Sequence, residues 1–270
     1  MIGLDTDSGK VEALNGGRSY IEDVPDSVLE PLTERLRATT RYADLASAAA
    51  IIVCVPTPLT TSREPDLTYL ISAGEAIAGV LQEGQLVSLE STTYPGTTRD
   101  DLAPLLEASG MKAGEDFHLA FSPERIDPGR TDYTVRTTPK LVGGVTPECT
   151  QRAEALYREI CDQVVVVSSP ETAELAKLLE NIFRSVNIAF VNELAQLCDR
   201  LEHVDVWEVV DAAATKPFGF MRFDPGPGMG GHCLPIDPFY LAYKARQVNF
   251  YPEFIELAGK GQPGPAPVVR

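Results

Sequence analysis

Apolar runs and helical spacings alternate along the first 170 residues of the chain. Short apolar runs predict buried strands, and segments with an apolar residue every three to four positions predict helices between them. The predicted strands are "MIGLDTD", "AAAIIVCVPTP", "QLVSLESTT", "FHLAFSPE" and "QVVVVSS", and the predicted helices are "SGKVEALN", capped by Ser8, "DLTYLISAGEAIAGVLQ", "TTRDDLAPLLEASG" and "CTQRAEALYREI". This alternation favours a parallel sheet that carries helices on both faces.

Polar segments that contain proline end three of these strands. They read "VPTP", "ESTTYPG" and "FSPERIDPG". In a parallel sheet with helices on both faces, ligands bind at the carboxyl ends of the strands. The three segments are therefore expected at one edge of the sheet, either as ordinary turns or as parts of a binding site.

A different pattern begins at Pro170. From there to about His203 no further glycine or proline interrupts the chain, and leucines with other apolar residues keep a helical spacing. The pattern predicts one long helix of about 50 Å at 1.5 Å per residue, long enough to join two domains or two subunits. Shorter helices are predicted at "VDVWEVVDAAA" and "PFYLAYKARQ", with a loop rich in glycine and proline between them, and a flexible tail is expected at 260–270.

Composition argues against several classes of partner. The formal net charge of −16 speaks against binding to the phosphate backbone of nucleic acids. No apolar run reaches the roughly 20 residues that a membrane helix needs. The five cysteines form no C-x-x-C pair, so a reducing cytoplasm is the expected compartment.

One of these cysteines, Cys233, follows a run of glycines in the loop "GPGMGGHCLPIDP". Asp237 and Pro238 have the arrangement of an N-cap and a first helical residue, which puts the Cys233 thiol before a helix N-terminus, where the helix dipole favours a thiolate. Cys233 is a candidate nucleophile, and the alternative is a loop cysteine beside a tight turn. Since His232 and Cys233 have no second cysteine or histidine pair at a usable spacing, no metal site is expected.

Polar residues on the predicted long helix form a second candidate group. Lys177 and Asn181 stand four residues apart, so they share a face away from the leucine stripe, and Glu174 and Ser185 extend that face. The face is either solvent-exposed surface or part of a site. Glu124, after a proline at a strand end, is either a base or the cap of a turn.

Asp5 ends the first predicted strand, and Lys10 lies in the helix that follows. In a dinucleotide-binding unit, an acid at this place bonds the adenosine ribose. That assignment normally depends on a preceding G-x-G-x-x-G loop. No such loop precedes Asp5.

Five segments in chain order, "VCVPTPL", "ESTTYPGTT", "FSPERIDPG", "AKLLENIFRSVN" and "GMGGHCLPIDP", closely resemble the UDP-glucose/GDP-mannose dehydrogenase family. The resemblance reaches to about Gly259, and "GGHC" with "PIDP" favours the branch that oxidises UDP-N-acetylglucosamine or UDP-N-acetylmannosamine at C6. It implies a four-electron oxidation of the C6 alcohol to a carboxylate with two molecules of NAD used in turn. It also implies an incomplete Rossmann-like parallel sheet, then the long helix, and a helical domain that makes a homodimer through that helix.

The same resemblance implies a role for each matched residue. Cys233 attacks the C6 aldehyde and then carries a thioester, and Glu124 is the acid/base for hydrolysis of that thioester. Lys177 stabilises the developing alkoxide, while Asn181 and Asp237 position the water and the polar groups around C6. The other implied contacts are Thr92 beside the nicotinamide and the reacting centre, Asp5 and Lys10 at the adenosine ribose, Thr57 and Glu124 at the cofactor, and Arg125, Lys177, Asn181, Phe223, Gly226, Gly228, Gly230 and Gly231 around the UDP-sugar.

The chain departs from the family pattern at both ends. It starts one strand late, without the glycine-rich loop that meets the NAD pyrophosphate, and it stops before a second Rossmann-like domain that binds the uridine diphosphate. The expected domains are an NAD-binding domain at 1–168, the long helix and a central helical domain with the cysteine loop at 169–259, and the tail. Little or no turnover is expected from the chain as written.

Two other interpretations stay open. A catalytically inactive member of the family could act as a dimerising helical module. A β-hydroxyacid dehydrogenase shares the sheet, the long helix and a Lys/Asn pair, but it has no catalytic cysteine.

Overall fold

Two compact units make up the described part of the chain. The structure is a computed structural model that describes residues 1–21, 24–126, 132–227 and 234–260, the side chains of 258–260 excepted. The first unit consists of Met1–Thr57, Leu67–Ser91 and Pro95–Glu174, and the second of Pro58–Asp66, Thr92–Tyr94 and the chain from Leu175 onward. The domain boundary expected after residue 168 stays a prediction.

The strands of the first unit form two sheets. In chain order the described strands are β1 (Ile2–Leu4), β2 (Arg37–Thr39), β3 (Ala50–Val53), β4 (Leu86–Leu89), β5 (His118–Phe121), β6 (Lys140–Gly144) and β7 (Val164–Val166). β1 and β2 are a parallel pair, and the other five strands form a sheet in the order β3-β4-β5-β6-β7. β3, β4 and β5 are parallel, whereas β6 runs antiparallel to β5 and parallel to β7. The predicted mixture of a mainly parallel sheet with helices is confirmed.

Strand β6 is missing from the sequence prediction because it ends in two glycines, which weaken a strand signal. Both glycines are required by packing. A Cβ at Gly143 would overlap the carbonyl oxygen of Ser169, and a Cβ at Gly144 would overlap the backbone nitrogen of Thr150. The backbone of β6 therefore lies directly against the start of the two helices that follow it.

Helices separate the strands of the first unit. They are α1 (Ser8–Asn15), α2 (Asp26–Leu29), α3 (Thr68–Ala78), α4 (Ala103–Glu107) and α5 (Pro147–Arg158), with short 3₁₀ helices at Glu30–Leu32 and Tyr42–Ser47 and a π-helical turn, Thr97–Leu102, that leads into α4. The prediction that Ser8 caps α1 is wrong by one residue. Asp7 has the extended backbone of an N-cap, and its Oδ1 accepts hydrogen bonds from the amides of Gly9 at 2.8 Å and Lys10 at 3.4 Å.

The core of the first unit lies on both faces of β4 and β5. Every residue of these two strands is buried. Leu70 from α3 and Leu106 from α4, neither of them exposed to solvent, pack in the same apolar cluster as Leu119 of β5. Burial on both faces is what a central strand between two layers of helices requires, and it explains the continuous apolar runs in the sequence.

A groove of about 560 Å³ lies between the two sheets of the first unit. Ile2 and Leu4 of β1 line it, as do the residues of β3. Among the described residues, β1 pairs only with β2 and β3 pairs only with β4, so each keeps one edge without a neighbouring strand. The groove thus combines an apolar lining with two strand edges that can accept a further strand.

The second unit is helical. It contains most of α6 (Pro170–Cys198), then α7 (Val206–Ala214), α8 (Asp237–Gln247) and α9 (Glu253–Lys260). The predicted long helix is confirmed, but it ends at Cys198 rather than near His203. His203 has a φ of 64°, which an α-helix cannot contain.

The apolar side chains of α6 point in two directions. Leu178, Ile182 and Val191 are buried, whereas a second set is 44–65% exposed: Leu175, Leu179, Phe183, Phe190 and Leu197. A cavity of about 520 Å³, lined by apolar residues of α6, α7 and the segment 219–223, adjoins this second set. α6 therefore presents a broad apolar face that the described chain does not cover. None of the described helices is long and apolar enough to cross a membrane.

Candidate active site

The polar face of α6 is buried, although most of its apolar face is exposed. Glu174 and Ser185 have no exposed surface and Lys177 has 7%, while Asn181 is half-buried. Charged residues are almost never buried in this way unless they have partners. The interpretation of this face as solvent-exposed surface is therefore wrong, and its burial favours a site.

Asn181 brings α6 together with α8. Its Nδ2 donates a hydrogen bond of 2.5 Å to Oδ2 of Asp237, which is 1% exposed. The prediction that Asp237 is the N-cap of α8 is wrong, because Asp237 is the first residue of the helix and makes no capping bond. Its carboxyl group is bonded to the side chain from α6 rather than to the backbone amides of its own helix.

Asp237 has an unusual acidity. Burial raises its pKa to about 6, against the opposing effects of the Asn181 hydrogen bond and the positive charge of Lys177. A carboxyl group with such a pKa exchanges a proton near neutral pH. Lys177, Asn181 and Asp237 thus form one buried group in the second unit that contains a cation, an amide and a titratable acid.

The segment with Thr92 packs against α8 in the same unit. Thr92 itself is half-buried. Two residues later, the ring of Tyr94 lies 6.3 Å from that of Tyr240 and 5.4 Å from that of Tyr243. The Oη of Tyr240 donates to the carbonyl oxygen of Pro58 at 3.3 Å. These aromatic contacts fix the Thr92 segment relative to the helix that begins with Asp237, and sequence reasoning missed them.

Glu124 lies just past the carboxyl end of β5 in the first unit. Its Oε1 accepts hydrogen bonds from the amides of Arg125 at 2.6 Å and Ile126 at 2.7 Å, so it does cap its own turn. Its Oε2 lies 3.3 Å from Nζ of Lys140. Burial disfavours the charged form, but the Lys140 charge and the two amides outweigh it and hold the pKa of Glu124 below its ordinary value. Glu124 is therefore a carboxylate at neutral pH.

Sequence reasoning missed Lys140, which pairs with Glu124, and two residues that lie on the other side of Lys140. Lys140, at the start of β6, also lies 3.2 Å from Oε2 of Glu90, the residue that follows β4. Tyr157 of α5 donates to Oε1 of Glu90 at 2.7 Å. The acid after "LVSL" was the available signal for Glu90, since it ends a strand as Asp5 does, whereas nothing in the sequence pairs it with Lys140 or Tyr157.

The predicted cofactor residues Asp5 and Lys10 meet at the end of β1. Nζ of Lys10 lies 3.2 Å from Oδ2 of Asp5, and the hydrogen bond raises the pKa of Lys10. Both side chains are partly exposed, so either can reach a ligand. Thr57 is half-buried after β3. Arg125 donates from Nη1 to the carbonyl oxygen of Pro139 at 2.6 Å.

Glu174 is a further buried acid whose function the sequence did not reveal. Its carboxylate accepts hydrogen bonds from the amide of Gly96 at 2.6 Å and from the amide and hydroxyl of Thr98 at 2.9 and 2.7 Å. Burial nevertheless raises its pKa to about 7. Gly96 has a φ of 102°, which favours glycine. Glu174 therefore holds the turn that follows the Thr92 segment.

Four predicted residues of the glycine loop, Gly228, Gly230, Gly231 and Cys233, lie outside the described residues. The loop is described up to residue 227. There the Gly226 amide donates to Oδ1 of Asn192 at 2.8 Å, and the Phe223 ring meets that of Phe183 edge-on at 5.8 Å. Both contacts join the beginning of the loop to α6.

Two family models match the chain. Residues 1–161 match the UDP-glucose/GDP-mannose dehydrogenase family, NAD binding domain, and residues 171–261 match the central domain of the same family. The chain belongs to the UDP-glucose/GDP-mannose dehydrogenase family. NAD is the cofactor of the matched first domain, as the sequence predicted.

Curated relatives of the chain are named for the UDP-N-acetylhexosamines on which they act. The chain is 41% identical over 262 residues to UDP-N-acetyl-D-glucosamine 6-dehydrogenase of Pseudomonas aeruginosa, covering 96% of this chain and 61% of the relative. It is 37% identical over 273 residues to UDP-N-acetyl-D-mannosamine dehydrogenase of Yersinia pestis, covering 97% of this chain and 64% of the relative. The chain thus spans less than two thirds of the length of either relative.

Solved structures of the family have the same fold. UDP-D-ManNAc dehydrogenase from Pyrococcus horikoshii aligns with a TM-score of 0.89 at 37% identity, over 96% of this chain and 62% of that one. NDP-N-acetyl-D-galactosaminuronic acid dehydrogenase from Methanosarcina mazei aligns with a TM-score of 0.82 at 31% identity, over 96% and 59%. The predicted fold class and family are therefore confirmed.

Proposed function

We propose that the chain carries the catalytic residues of an NAD-dependent dehydrogenase that oxidises the C6 alcohol of a UDP-N-acetylhexosamine to a carboxylate. The relatives named for UDP-N-acetylglucosamine and UDP-N-acetylmannosamine support the substrate class. The observation that carries the proposal is the buried group of Lys177, Asn181 and Asp237. An ammonium, an amide and an acid in one buried place suit a reaction at an alcohol carbon that develops negative charge on oxygen.

Lys177 is proposed to stabilise the C6 alkoxide. A cation that is 7% exposed acts through a less polar medium than water, so its attraction for a developing oxyanion is strong. Asn181 and Asp237 are proposed to position the polar groups and water around C6. Because the pKa of Asp237 is raised to about 6, this residue can hold or release a proton near neutral pH.

Cys233 is proposed to bind the C6 carbon covalently. Its sulfur adds to the aldehyde and the thiol proton passes to the aldehyde oxygen, which gives a thiohemiacetal; removal of a second hydride and of the hydroxyl proton leaves a thioester. Glu124 then takes a proton from water, and the water oxygen attacks the thioester carbonyl. The carbon–sulfur bond breaks, the sulfur leaves as a thiolate that takes the proton back from Glu124, and the new carboxylic acid loses its own proton to solvent as a carboxylate. The ionised state of Glu124 supports its role as the base in this step.

The residues present fit one end of NAD. Asp5 ends a parallel strand with Lys10 beside it, and a carboxylate in that position can bond the two hydroxyls of the adenosine ribose. When bound, NAD supplies the acceptor for hydride in both oxidations. Asp5 and Lys10 are proposed to hold the ribose, Thr57 and Glu124 to line the cofactor groove, and Thr92 to lie beside the nicotinamide. Arg125, Phe223 and the loop glycines are proposed to contact the UDP-sugar.

We also propose a homodimer through α6. Its exposed set of apolar side chains and the adjoining cavity form an apolar surface of the kind that protein interfaces cover. The groove between β1 and β3 supports the proposal that the NAD-binding domain, placed at 1–168, takes one more strand and a glycine-rich loop. The cytoplasm is the proposed compartment, and the free thiols at Cys54, Cys149, Cys161 and Cys198 support it.

The test combines peptide-resolved alkylation with an assay of NADH. UDP-N-acetylglucosamine or UDP-N-acetylmannosamine should protect Cys233 from iodoacetamide, while GDP-mannose should not. Turnover should yield two NADH for each sugar oxidised and should be lost in Cys233→Ser. Cys54→Ser is the control because Cys54 is another free thiol to which no role in the reaction is assigned, and this variant should keep activity.

Other results would favour the alternatives. One NADH per substrate, with turnover that survives Cys233→Ser, would support a β-hydroxyacid dehydrogenase instead. Neither protection nor turnover would support the catalytically inactive member of the family.

A further inference from the structure

Lys140 is a buried lysine at the first position of β6. It is 5% exposed, and its Nζ lies 3.2 Å from Oε2 of Glu90 and 3.3 Å from Oε2 of Glu124. The ammonium also lies 5.3 Å from the centre of the Tyr157 ring. Lysine is almost never buried to this extent unless it is paired, so its two carboxylate partners account for its position.

The topology of the sheet brings these three charges together. β5 and β6 are antiparallel, with Phe121 opposite Gly143. The same register, continued past the end of β5, sets Lys140 opposite Glu124. Glu90 reaches the same edge because it directly follows β4, which is parallel to β5. Because β6 runs antiparallel to β5, its first residue, Lys140, lies at the edge of the sheet where β5 ends.

Both oxygens of Glu124 have donors, yet the side chain remains accessible. Oε1 accepts from the amides of Arg125 and Ile126, and Oε2 pairs with Lys140. The side chain is still 45% exposed. A carboxylate with this arrangement has a fixed orientation and an open side from which a small molecule can approach.

Glu90 holds the other side of Lys140. Its side chain is only 13% exposed, and its Oε1 accepts from the hydroxyl of Tyr157. That hydroxyl also lies 2.8 Å from Oγ of Ser88 within β4. The buried side of the cluster is thus fixed by bonds within the core, and Lys140 connects it to the accessible carboxylate.

We propose that Lys140 is a positioning residue that fixes the accessible Glu124 carboxylate at the carboxyl edge of the sheet, while Glu90 and Tyr157 hold Lys140 within reach of it. The proposal rests on the proposed function, in which Glu124 is the base for thioester hydrolysis. Lys140 is proposed to contact neither the substrate nor the cofactor and to act through Glu124. Lys140 is proposed to keep the Glu124 carboxylate ionised and in a fixed orientation, so that it can accept the proton of the attacking water.

Other titratable groups surround the cluster. Cys54, after β3, and Cys161, after α5, both have pKa values raised by burial, to about 11 for Cys54, so both are neutral thiols near pH 7. Burial and the charge of Glu90 raise the pKa of Tyr157. Glu90 is therefore the other negative charge near Lys140 and Glu124, and any test must control for it.

The charge of Lys140 has to be separated from its contribution to folding. Lys140→Met alone is unsuitable because it leaves Glu90 buried without a cation, which can unfold the chain. Three other variants are used instead. The double variant Lys140→Met with Glu90→Gln removes both charges and keeps an acceptor for Tyr157. Lys140→Arg retains the positive charge, and Glu90→Gln alone is the matched control. Circular dichroism and thermal unfolding establish that each variant is folded.

The measurement is an NMR titration of carbon-13-labelled glutamate, with the Glu124 signal assigned by Glu124→Gln. In the double variant the midpoint of Glu124 should rise by about 1–3 units, the range expected when an opposite charge at this distance is removed. It should stay near the parent value in Lys140→Arg. The acid limb of kcat against pH should rise in the same way. Residual activity at high pH should remain, because Glu124 then ionises without Lys140.

Two outcomes separate this proposal from the one on which it rests. A folded double variant whose Glu124 midpoint lies within about 0.3 units of the parent, a change of less than about 0.5 kcal/mol, would overturn the role of Lys140. Full thioester hydrolysis by Glu124→Gln would instead overturn the role of Glu124 as base. The titration requires no activity, so each result can be obtained without the other.

Discussion

Replacing Asp237 by asparagine should stabilise the second unit at neutral pH. Asp237 is 1% exposed, and burial raises its pKa from 3.8 to about 6 in spite of Asn181 and Lys177. At about 1.4 kcal/mol per unit, this rise means that the ionised side chain reduces the free energy of unfolding by about 3 kcal/mol. Asparagine has nearly the same shape and can still accept the hydrogen bond from Asn181, but it carries no charge.

The gain should depend on pH in a defined direction. Below about pH 3 the aspartate is protonated in both the folded and the unfolded chain, so the charge has no cost. Between about pH 3 and 6 the unfolded chain releases a proton that the folded chain keeps, and the stability of the parent falls as pH rises. The free energy of unfolding of the variant should therefore exceed that of the parent by close to zero at about pH 3 and by about 3 kcal/mol above about pH 7.

Urea unfolding followed by Trp207 fluorescence measures this difference. Trp207 is the chain's single tryptophan, and it lies on α7 in the same unit as Asp237. Asp199→Asn is the control, because Asp199 is exposed in the same unit and its replacement should change stability by less than about 0.5 kcal/mol at every pH. Turnover should fall in Asp237→Asn although the protein is more stable.

A different result would refute the reasoning. A difference that does not vary with pH would show that Asp237 titrates near its ordinary value in the folded chain. A variant less stable than the parent above pH 7 would show that the attraction between Asp237 and buried Lys177 exceeds the cost of burying the carboxylate. In either case the site would hold a permanent carboxylate rather than an acid that exchanges protons.

Three further predictions address other parts of the molecule. Gly144→Ala should lower the free energy of unfolding by about 1–3 kcal/mol or more, because the added Cβ would overlap the Thr150 backbone. Gly79→Ala is the control, because its Cβ would lie 3.6 Å from the carbonyl oxygen of Ala76. In the same denaturation experiment it should be neutral or stabilise the chain by about 0.4–1 kcal/mol. A chain extended before Met1 by a strand and a G-x-G-x-x-G loop should fill the groove between β1 and β3 and bind NAD at least about tenfold more tightly in calorimetry, because the loop amides meet the pyrophosphate; an unchanged affinity would mean that the groove does not accept the strand. The double variant Leu179→Glu with Phe190→Glu should raise the dissociation constant of the dimer more than about tenfold in analytical ultracentrifugation. Glu75→Gln on α3, in the other unit, is the control. A chain that is monomeric before any substitution would contradict the proposed interface.

The order of strands and helices could be predicted because burial on both faces makes strands such as β4 and β5 mostly apolar. The prediction failed where backbone packing rather than side-chain hydrophobicity fixes an element. In β6, Gly143 and Gly144 permit close approach to Ser169 and Thr150, and that requirement removed the apolar residues by which a strand is recognised. Because Lys140 begins this strand, its place beside Glu124 could not be predicted either.

On α6 the sequence pattern identified the correct residues but left their environment open. Glu174, Lys177, Asn181 and Ser185 have the spacing of one helical face, and polar faces are usually exposed. Here that face is buried, while Leu179 and its apolar neighbours are exposed. Periodicity reports only that two faces differ, and partners that are distant in sequence decide which face is inside. Asp237, 56 residues after Asn181, is such a partner.

The buried charges of the two units have a common physical meaning. In the first unit, Lys140 is enclosed by Glu90 and Glu124, and in the second, Lys177 accompanies Asp237. Replacing buried ion pairs by apolar residues of similar volume is often neutral or stabilising, so folding alone does not explain them. Each group instead combines a cation with an acid whose pKa is displaced, downward for Glu124 and upward for Asp237. That opposite displacement gives one carboxylate that stays ionised as a base and one carboxyl that can exchange a proton, which are the two acid–base functions that the proposed oxidation and hydrolysis require.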